Sequence, residues 1–418
     1  MYTAPISPPN VTQSSQSFGA LIARQAIVNA EGRVIGYELF NRSRNHSAHT
    51  AASDMMLALT ALSHAGVDEL LGDTLIFVNC THESLVEGHL SLLDPNKVIL
   101  EVPPLGHTAA EEVKTRLPTL QTLHERGFRL AFSQTVLESA YAAWLPLADF
   151  IKLDLSVLPA DQVTVLTKYA TRQTKAQLIA EKIETATQLE LLSHLGVKLF
   201  QGYWLSRPQL VEARLLFPTA NTVARLLQLL RNQAEVHEIE ALAKHDAVLS
   251  FNFLRLAVTS GLCPRDGLQS IEHVIRLLGS NRLTCWASLL QNFRVTSDEP
   301  LTAARNAVEH GRFMELLAKA QQLPRSVSDQ AFLVGVIAQL DNLLDIPLTT
   351  IVELLHMPQS VRDAVLKQSG YLGGLLTLAQ ASEIGEVDEL LQSATGLGLS
   401  QKQLIEARTL AQDWAERA

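Results

Sequence analysis

Five short apolar runs in this sequence each finish on a polar side chain: FVN at Asn79, VILE at Glu101, IKLD at Asp154, LIAE at Glu181 and LFQ at Gln201. Glu38 sits inside a sixth run, GYELF, and Lys152 stands two positions before Asp154, on the same strand face. Carboxylate and amide oxygens gathered at one mouth suit a hard cation such as Mg²⁺ or Mn²⁺. Paired ions of that kind drive in-line attack on a phosphodiester, polarising its oxygens and activating a water. A seventh run, FRLAFSQT, has the same shape but ends in the neutral pair Ser133 and Gln134. Two absent carboxylates in the middle of such a ring separate a two-metal hydrolase from a frame that resembles one.

The elements that must position these residues are short strands. LIARQAIVN and RVIGYELF flank the turn-like Ala30-Glu31-Gly32 and form an antiparallel hairpin. TLIFVN, KVILEV, FRLAFS, DFIKLDL, AQLIAEK and KLFQGYWL follow as mostly continuous apolar runs, the mark of strands covered on both faces. Helical periodicity fills the gaps, at 52–71, 117–126 and 185–195. Alternating strand and helix implies a parallel sheet with helical crossovers, and eight strands at this spacing predict a compact (β/α)8 barrel of the TIM type. A doubly wound open sheet is the alternative, but no glycine-rich phosphate loop follows the first strand. In such a barrel the strand C-termini carry the chemistry.

Beyond Phe217 strand-like runs vanish and stripes of Leu, Ile and Val recur at helical spacing, so the fold class is α/β plus all-α. The expected division is a Pro- and Ser-rich disordered tail at 1–17, a barrel at 18–213 and a helical domain at 214–418. Helices are expected at 222–233, 237–244, 250–260, 271–278, 283–290, 303–320, 329–344, 349–355, 360–367, 373–381 and 400–414. A chain of 418 residues suits two domains, and 47% hydrophobic against 18% charged residues excludes a largely disordered one. The net charge of −9 argues against non-specific nucleic-acid binding. No apolar run is long enough to span a bilayer, and Cys80, Cys263 and Cys285 lack metal-ligand spacing, so a cytoplasmic location with no membrane partner is expected.

The barrel motifs resemble the EAL-domain phosphodiesterases of cyclic di-GMP, and the whole chain resembles tandem EAL–HDOD proteins. The likeness rests on Gly36 to Arg42 (GYELFNR), FVN, LEV, IKLD, AEKIET and FQGY, in order along the first domain. It implies Glu38, Asn79 and Glu101 as ligands of one metal, Glu181 as a ligand of a second, and Asp154 completing the wall. It further implies Lys152 orienting or deprotonating the attacking water, and Arg42 and Gln201 holding substrate. The family places consecutive aspartates where Ser133 and Gln134 stand, one of them bridging both ions. Their loss predicts a disrupted second site, no cofactor beyond at most one weakly held Mg²⁺ or Mn²⁺, and a catalytically inactive barrel. On that expectation the chain is a regulator or adaptor in cyclic di-GMP signalling that contacts protein partners and binds cyclic di-GMP weakly at most. The alternatives are a phosphodiesterase with non-standard ligands and a non-hydrolysing sensor.

The helical half resembles HDOD, through EIE at 238–240, DAVLS at 246–250, LRLA at 254–257, IEHVIRLLG at 271–279, AFLVG at 331–335 and SGYLG at 369–373. His245-Asp246 is a literal His-Asp pair, but no ordered set of partners accompanies it, and Asp246 more naturally caps the next helix. Arg305, Arg312 and Glu315 share a helix face that reads as solvated, and Trp204, Trp286 and Trp414 read as core.

Overall fold

The computed structural model describes residues 18–41, 74–86, 88–106, 110–293, 302–384 and 394–416. The tail at 1–17, the helix expected at 52–71 and Arg42 lie outside these residues.

The opening hairpin forms as expected. Strands β1 (Phe18–Asn29) and β2 (Val34–Asn41) pair antiparallel. Their turn needs Gly32, which adopts φ 77°. Then come β3 (Leu75–Asn79), β4 (Val98–Val102), β5 (Arg129–Ser133), β6 (Ala148–Asp154), β7 (Gln177–Glu181) and β8 (Leu199–Phe200). From β2 onward each strand lies parallel to the one before it. β8 pairs with β1, which also pairs with β2, so eight strands close into a barrel. β1 runs opposite to the other seven because a tight hairpin returns the chain antiparallel. A further strand, β9 (Gln209–Leu215), pairs with β1 and crosses position 213, where the sequence reading divides the chain. Helices α1 (Ala110–Glu125), α2 (Ala160–Gln173) and α3 (Ala186–His194) lie between the strands, the last opened by a Thr185–Gln188 capping box.

Side chains alternate along a strand, and one set fills the barrel interior. Ile27, Phe77, Ile99, Ala131, Phe150, Ile179 and Leu199, one each from β1 and β3 to β8, pack together there. β2 contributes Gly36, where a Cβ would stand 2.7 Å from the Leu75 oxygen and 3.0 Å from the Phe77 ring. This apolar plug is the floor on which any site above it rests.

The second half is helical. It comprises α4 (Ala220–Arg231), α5 (Val236–Lys244), α6 (Ala247–Thr259), α7 (Ile271–Phe293), α8 (Thr302–Ala320), α9 (Arg325–Ile337), α10 (Leu340–Leu344), α11 (Leu348–Leu354), α12 (Gln359–Lys367), α13 (Gly370–Ile384) and α14 (Gln401–Ala415). The helices expected at 271–278 and 283–290 meet in α7, with Gly279 at φ 70°, ψ 162° marking the kink between them. The single helix expected at 329–344 is two, α9 and α10, separated at Ala338-Gln339.

The two halves meet where the barrel strands begin. Asp94 N–H donates to the Thr259 oxygen at 2.9 Å, Ser260 Oγ to the Leu92 oxygen at 3.1 Å and Arg282 Nε to the Ser91 oxygen at 2.9 Å. Among the described residues no single helix is long and apolar enough to cross a membrane.

Candidate functional site

Moving two positions along each strand from the apolar plug, toward the opposite end of the barrel, gives the next inward-facing layer. The steps are Ile27 to Gln25 on reversed β1, Gly36 to Glu38, Phe77 to Asn79, Ile99 to Glu101, Ala131 to Ser133, Phe150 to Lys152, Ile179 to Glu181 and Leu199 to Gln201. Each of the eight strands thus supplies one polar residue to a single ring. All eight line a cavity of about 520 Å³, with Asp154, Lys182, Glu184, Phe40 and Tyr203 nearer its rim.

Lys152 is the hub of the ring. Its Nζ lies 3.0 Å from Glu38 Oε2, 2.6 Å from Glu101 Oε2 and 2.6 Å from Glu181 Oε1. Asn79 Nδ2 donates to Glu38 Oε1 at 2.9 Å, and Gln201 Nε2 donates to Glu38 Oε2 at 2.9 Å and to Gln25 Oε1 at 3.2 Å. Glu101 Oε1 and Gln201 Oε1 are buried with no hydrogen-bond partner. The structure therefore brings Glu38, Asn79, Glu101, Lys152, Glu181 and Gln201 together. Gln25 belongs with them and was missed, because only the pairing of β1 with β2 and β8 reveals which of its faces is inward.

One ammonium among three carboxylates leaves the ring short of positive charge. Burial works to raise the Glu38 carboxyl, but Lys152, Asn79 and Gln201 together hold it below its ordinary value. Burial, reinforced by neighbouring Glu38, pushes the Glu101 carboxyl up to about 8 against the pull of Lys152. Burial also raises Glu181. Burial would lower the Lys152 ammonium, yet Glu101, Glu38 and Glu181 outweigh it, so Lys152 stays protonated. In this arrangement it donates to all three carboxylates.

Asp154 stands apart from the hub. Its Oδ1 accepts from Ser156 N and Oγ at 2.8 and 2.6 Å, and its Oδ2 lies 3.5 Å from Lys182 Nζ. Ser133 Oγ is engaged with Thr135 Oγ1 at 2.7 Å, and Gln134 Oε1 accepts from Asp154 N at 3.3 Å. Ser133 Oγ and Gln134 Oε1 are thus engaged by the protein itself.

The chemistry of the donor set suits a hard divalent ion. Oxygens of Glu38, Asn79 and Glu101, including the unpartnered Glu101 Oε1, have the hard character that Mg²⁺ or Mn²⁺ requires. No group of three or more His, Cys, Asp or Glu among the described residues stands ready to hold a metal, and Lys152 occupies the point where the carboxylates meet. Of the neutral pair, Ser133 lines the cavity, together with the carboxylates of Asp154, Glu181 and Glu184.

The helical half holds a second buried ammonium, which the sequence reading did not foresee. Lys244 Nζ lies 2.9 Å from Glu240 Oε1, 3.1 Å from Glu315 Oε1 and 3.2 Å from Asp329 Oδ1, over the Phe332 ring. Glu315, expected on a solvated face, is 2% exposed. His245-Asp246 makes no metal site: Asp246 caps α6 through Leu249 N at 3.0 Å, and His245 stacks on Trp414 at 3.7 Å. Trp286 is core as expected, whereas Trp204 is 56% exposed beside the barrel mouth.

Comparison with known proteins agrees with both halves. The EAL domain family matches residues 58–208 and the HDOD domain family residues 216–349. Cyclic di-GMP phosphodiesterase CdgJ of Vibrio cholerae is 25% identical over 403 residues, covering 94% of this chain and 92% of that protein. Probable cyclic di-GMP phosphodiesterase PdeA of Escherichia coli is 33% identical over 129 residues, covering 28% of this chain and 17% of that protein. The manganese and cyclic di-GMP complex of Klebsiella pneumoniae BlrP1 aligns with a TM-score of 0.39 at 23% identity, covering 49% of this chain and 60% of that one. The expectation of a non-enzyme is corrected by CdgJ: a protein matching this chain through both domains is named a phosphodiesterase. That expectation rested on the neutral Ser133 and Gln134. The chain carries an EAL domain followed by an HDOD domain.

Proposed function

We propose that this chain is a cyclic di-GMP phosphodiesterase with a non-standard ligand set, working with one divalent ion. The observation that carries this reading is the polar ring, complete on all eight strands and open to a cavity of about 520 Å³. CdgJ, similar over both domains, supports the substrate class.

In this reading Glu38, Asn79 and Glu101 would hold the ion, which would supply polarisation of the phosphodiester oxygens. The Lys152 ammonium donates to the attacking water and orients it. Glu181, with no second ion to hold and its carboxyl raised by burial, takes the water's proton. The water oxygen bonds to phosphorus as the P–O3′ bond breaks, and the departing oxygen takes a proton from solvent to give a linear dinucleotide, Glu181 releasing its own to solvent afterwards. Gln201 fixes the substrate through the side-chain oxygen that lacks a partner. The helical domain, whose buried Lys244 is already paired with three carboxylates, serves protein contact in signalling and not chemistry.

The test is incubation of the full chain with cyclic di-GMP and Mg²⁺ or Mn²⁺, followed by chromatography for the linear product. Turnover lost in Glu38→Ala and Glu181→Gln supports the reading. Binding without turnover replaces it by a sensor, and neither binding nor turnover overturns it. The double change Ser133→Asp with Gln134→Asp should tighten divalent-ion binding at least tenfold, because it puts one carboxylate on the cavity lining at position 133 and a second beside it.

A further inference from the structure

The loop after β7 holds Lys182 at φ 60°, a left-handed conformation natural to glycine and strained for a lysine. Both sides of the loop are tied down. Leu155 N donates to the Glu181 oxygen at 3.2 Å, Ile183 N to the Gln201 oxygen at 3.0 Å and Trp204 N to the Ile183 oxygen at 3.1 Å. Gly202 lies so close to Ile183 that a Cβ there would run into its backbone nitrogen and oxygen. The strain is therefore maintained by the surroundings, and its result is an ammonium at the rim of the cavity.

The charges around that ammonium say what it is for. Among the described residues lining the cavity, Lys152 and Lys182 are the only lysines or arginines, against Glu38, Glu101, Asp154, Glu181 and Glu184. Lys152 is committed to three carboxylates within 3.0 Å. Lys182 has one looser contact, 3.5 Å to Asp154, and a side chain 60% exposed. A cyclic dinucleotide brings two phosphodiester charges to this acidic mouth and needs a mobile cation there. The neutral Ser133 and Gln134 lessen the competition for Lys182 on the Asp154 side.

We infer that Lys182 is the phosphate-binding cation of the barrel mouth, reaching from its strained loop to a phosphodiester of the bound cyclic dinucleotide. This rests on the reading of the cavity as a cyclic di-GMP site. The test is calorimetric titration of the full chain with the phosphorothioate analogue of cyclic di-GMP in Mg²⁺ buffer, alongside thermal unfolding. Lys182→Gly should weaken binding at least tenfold and reduce its salt dependence, while raising the melting temperature because glycine relaxes the loop. Lys182→Arg should keep affinity within threefold. Wild type and Lys182→Gly binding equally well would overturn the assignment while leaving the site reading intact. Weaker binding with a lowered melting temperature would make Lys182 structural and also overturn it. A wild-type chain that binds nothing removes both readings.

Discussion

Lys152 and Lys244 are the same device in two settings. Each is a buried ammonium within 3.2 Å of three carboxylates drawn from separate elements or turns. Around Lys244 the surplus acid is met from outside: Arg312 and Lys319 reach Glu315 at 2.7 and 2.8 Å, and Arg325 reaches Glu240 at 3.2 Å. Burial would raise Glu315, but Lys244, Lys319 and Arg312 hold it down at about 2. Around Lys152 no second cation closes the ring among the described residues, Glu101 is pushed up to about 8, and the group opens on a cavity. A saturated cluster fastens helices, whereas an unsaturated one waits for a cation or a ligand. The contrast shows that the count of neighbouring charges, more than the motif of lysine among acids, distinguishes a structural clamp from a site.

Four measurements would break or sharpen this contrast. The largest effect is expected for Lys244→Met, which strands Glu240, Glu315 and Asp329 and should cost about 3–5 kcal/mol in chemical unfolding, with no recovery on adding Mg²⁺. Lys152→Met should cost roughly 2 kcal/mol in EDTA, less because the mouth admits water, and should regain stability in millimolar Mg²⁺. Equal responses of the two variants to Mg²⁺ would erase the distinction.

The third measurement uses pH. Folded Glu101 keeps its proton to about pH 8, whereas the unfolded chain releases it near its ordinary 4.5. The folded state therefore binds more protons in that window, and this group's contribution to stability falls as pH rises through it. Glu101→Gln removes the loss, so the variant should gain on wild type by about 1 kcal/mol for each pH unit between pH 5 and pH 8 in paired denaturation curves. A flat difference would mean that the ring is already balanced. The smallest effect belongs to Arg325→Ala: at 64% side-chain exposure its pairings should contribute less than about 1 kcal/mol and fade in high salt.

Much of the barrel was legible because strands buried on both faces are continuous apolar runs, and each strand's polar terminus stands out against them. The ring residues from β2 to β8 followed from that pattern. Gln25 did not, since it lies on the one reversed strand and its inward face depends on register with β2 and β8. β9 escaped notice because QLVEARL mixes Glu212 and Arg214 into a short run after Pro208, which reads as a connection. In the helical half the helices were legible from periodicity, but not the Lys244 cluster. Glu240, Lys244, Glu315 and Asp329 lie on three helices, and each taken alone looks like a residue of a polar face. Only the packing of α5, α8 and α9 shows those faces turned toward one another. The break at Ala338-Gln339 has no glycine or proline to announce it.

β4 begins just beyond Asp94, whose amide is fastened to Thr259, and it carries Glu101 into the ring at its other end. A rigid rod of about 13 Å therefore spans the barrel from the helical domain's foothold to the pocket. An axial slip of that rod would shift a ring carboxylate and loosen the foothold together, so the two domains share a mechanical part although the pocket faces away from their seam.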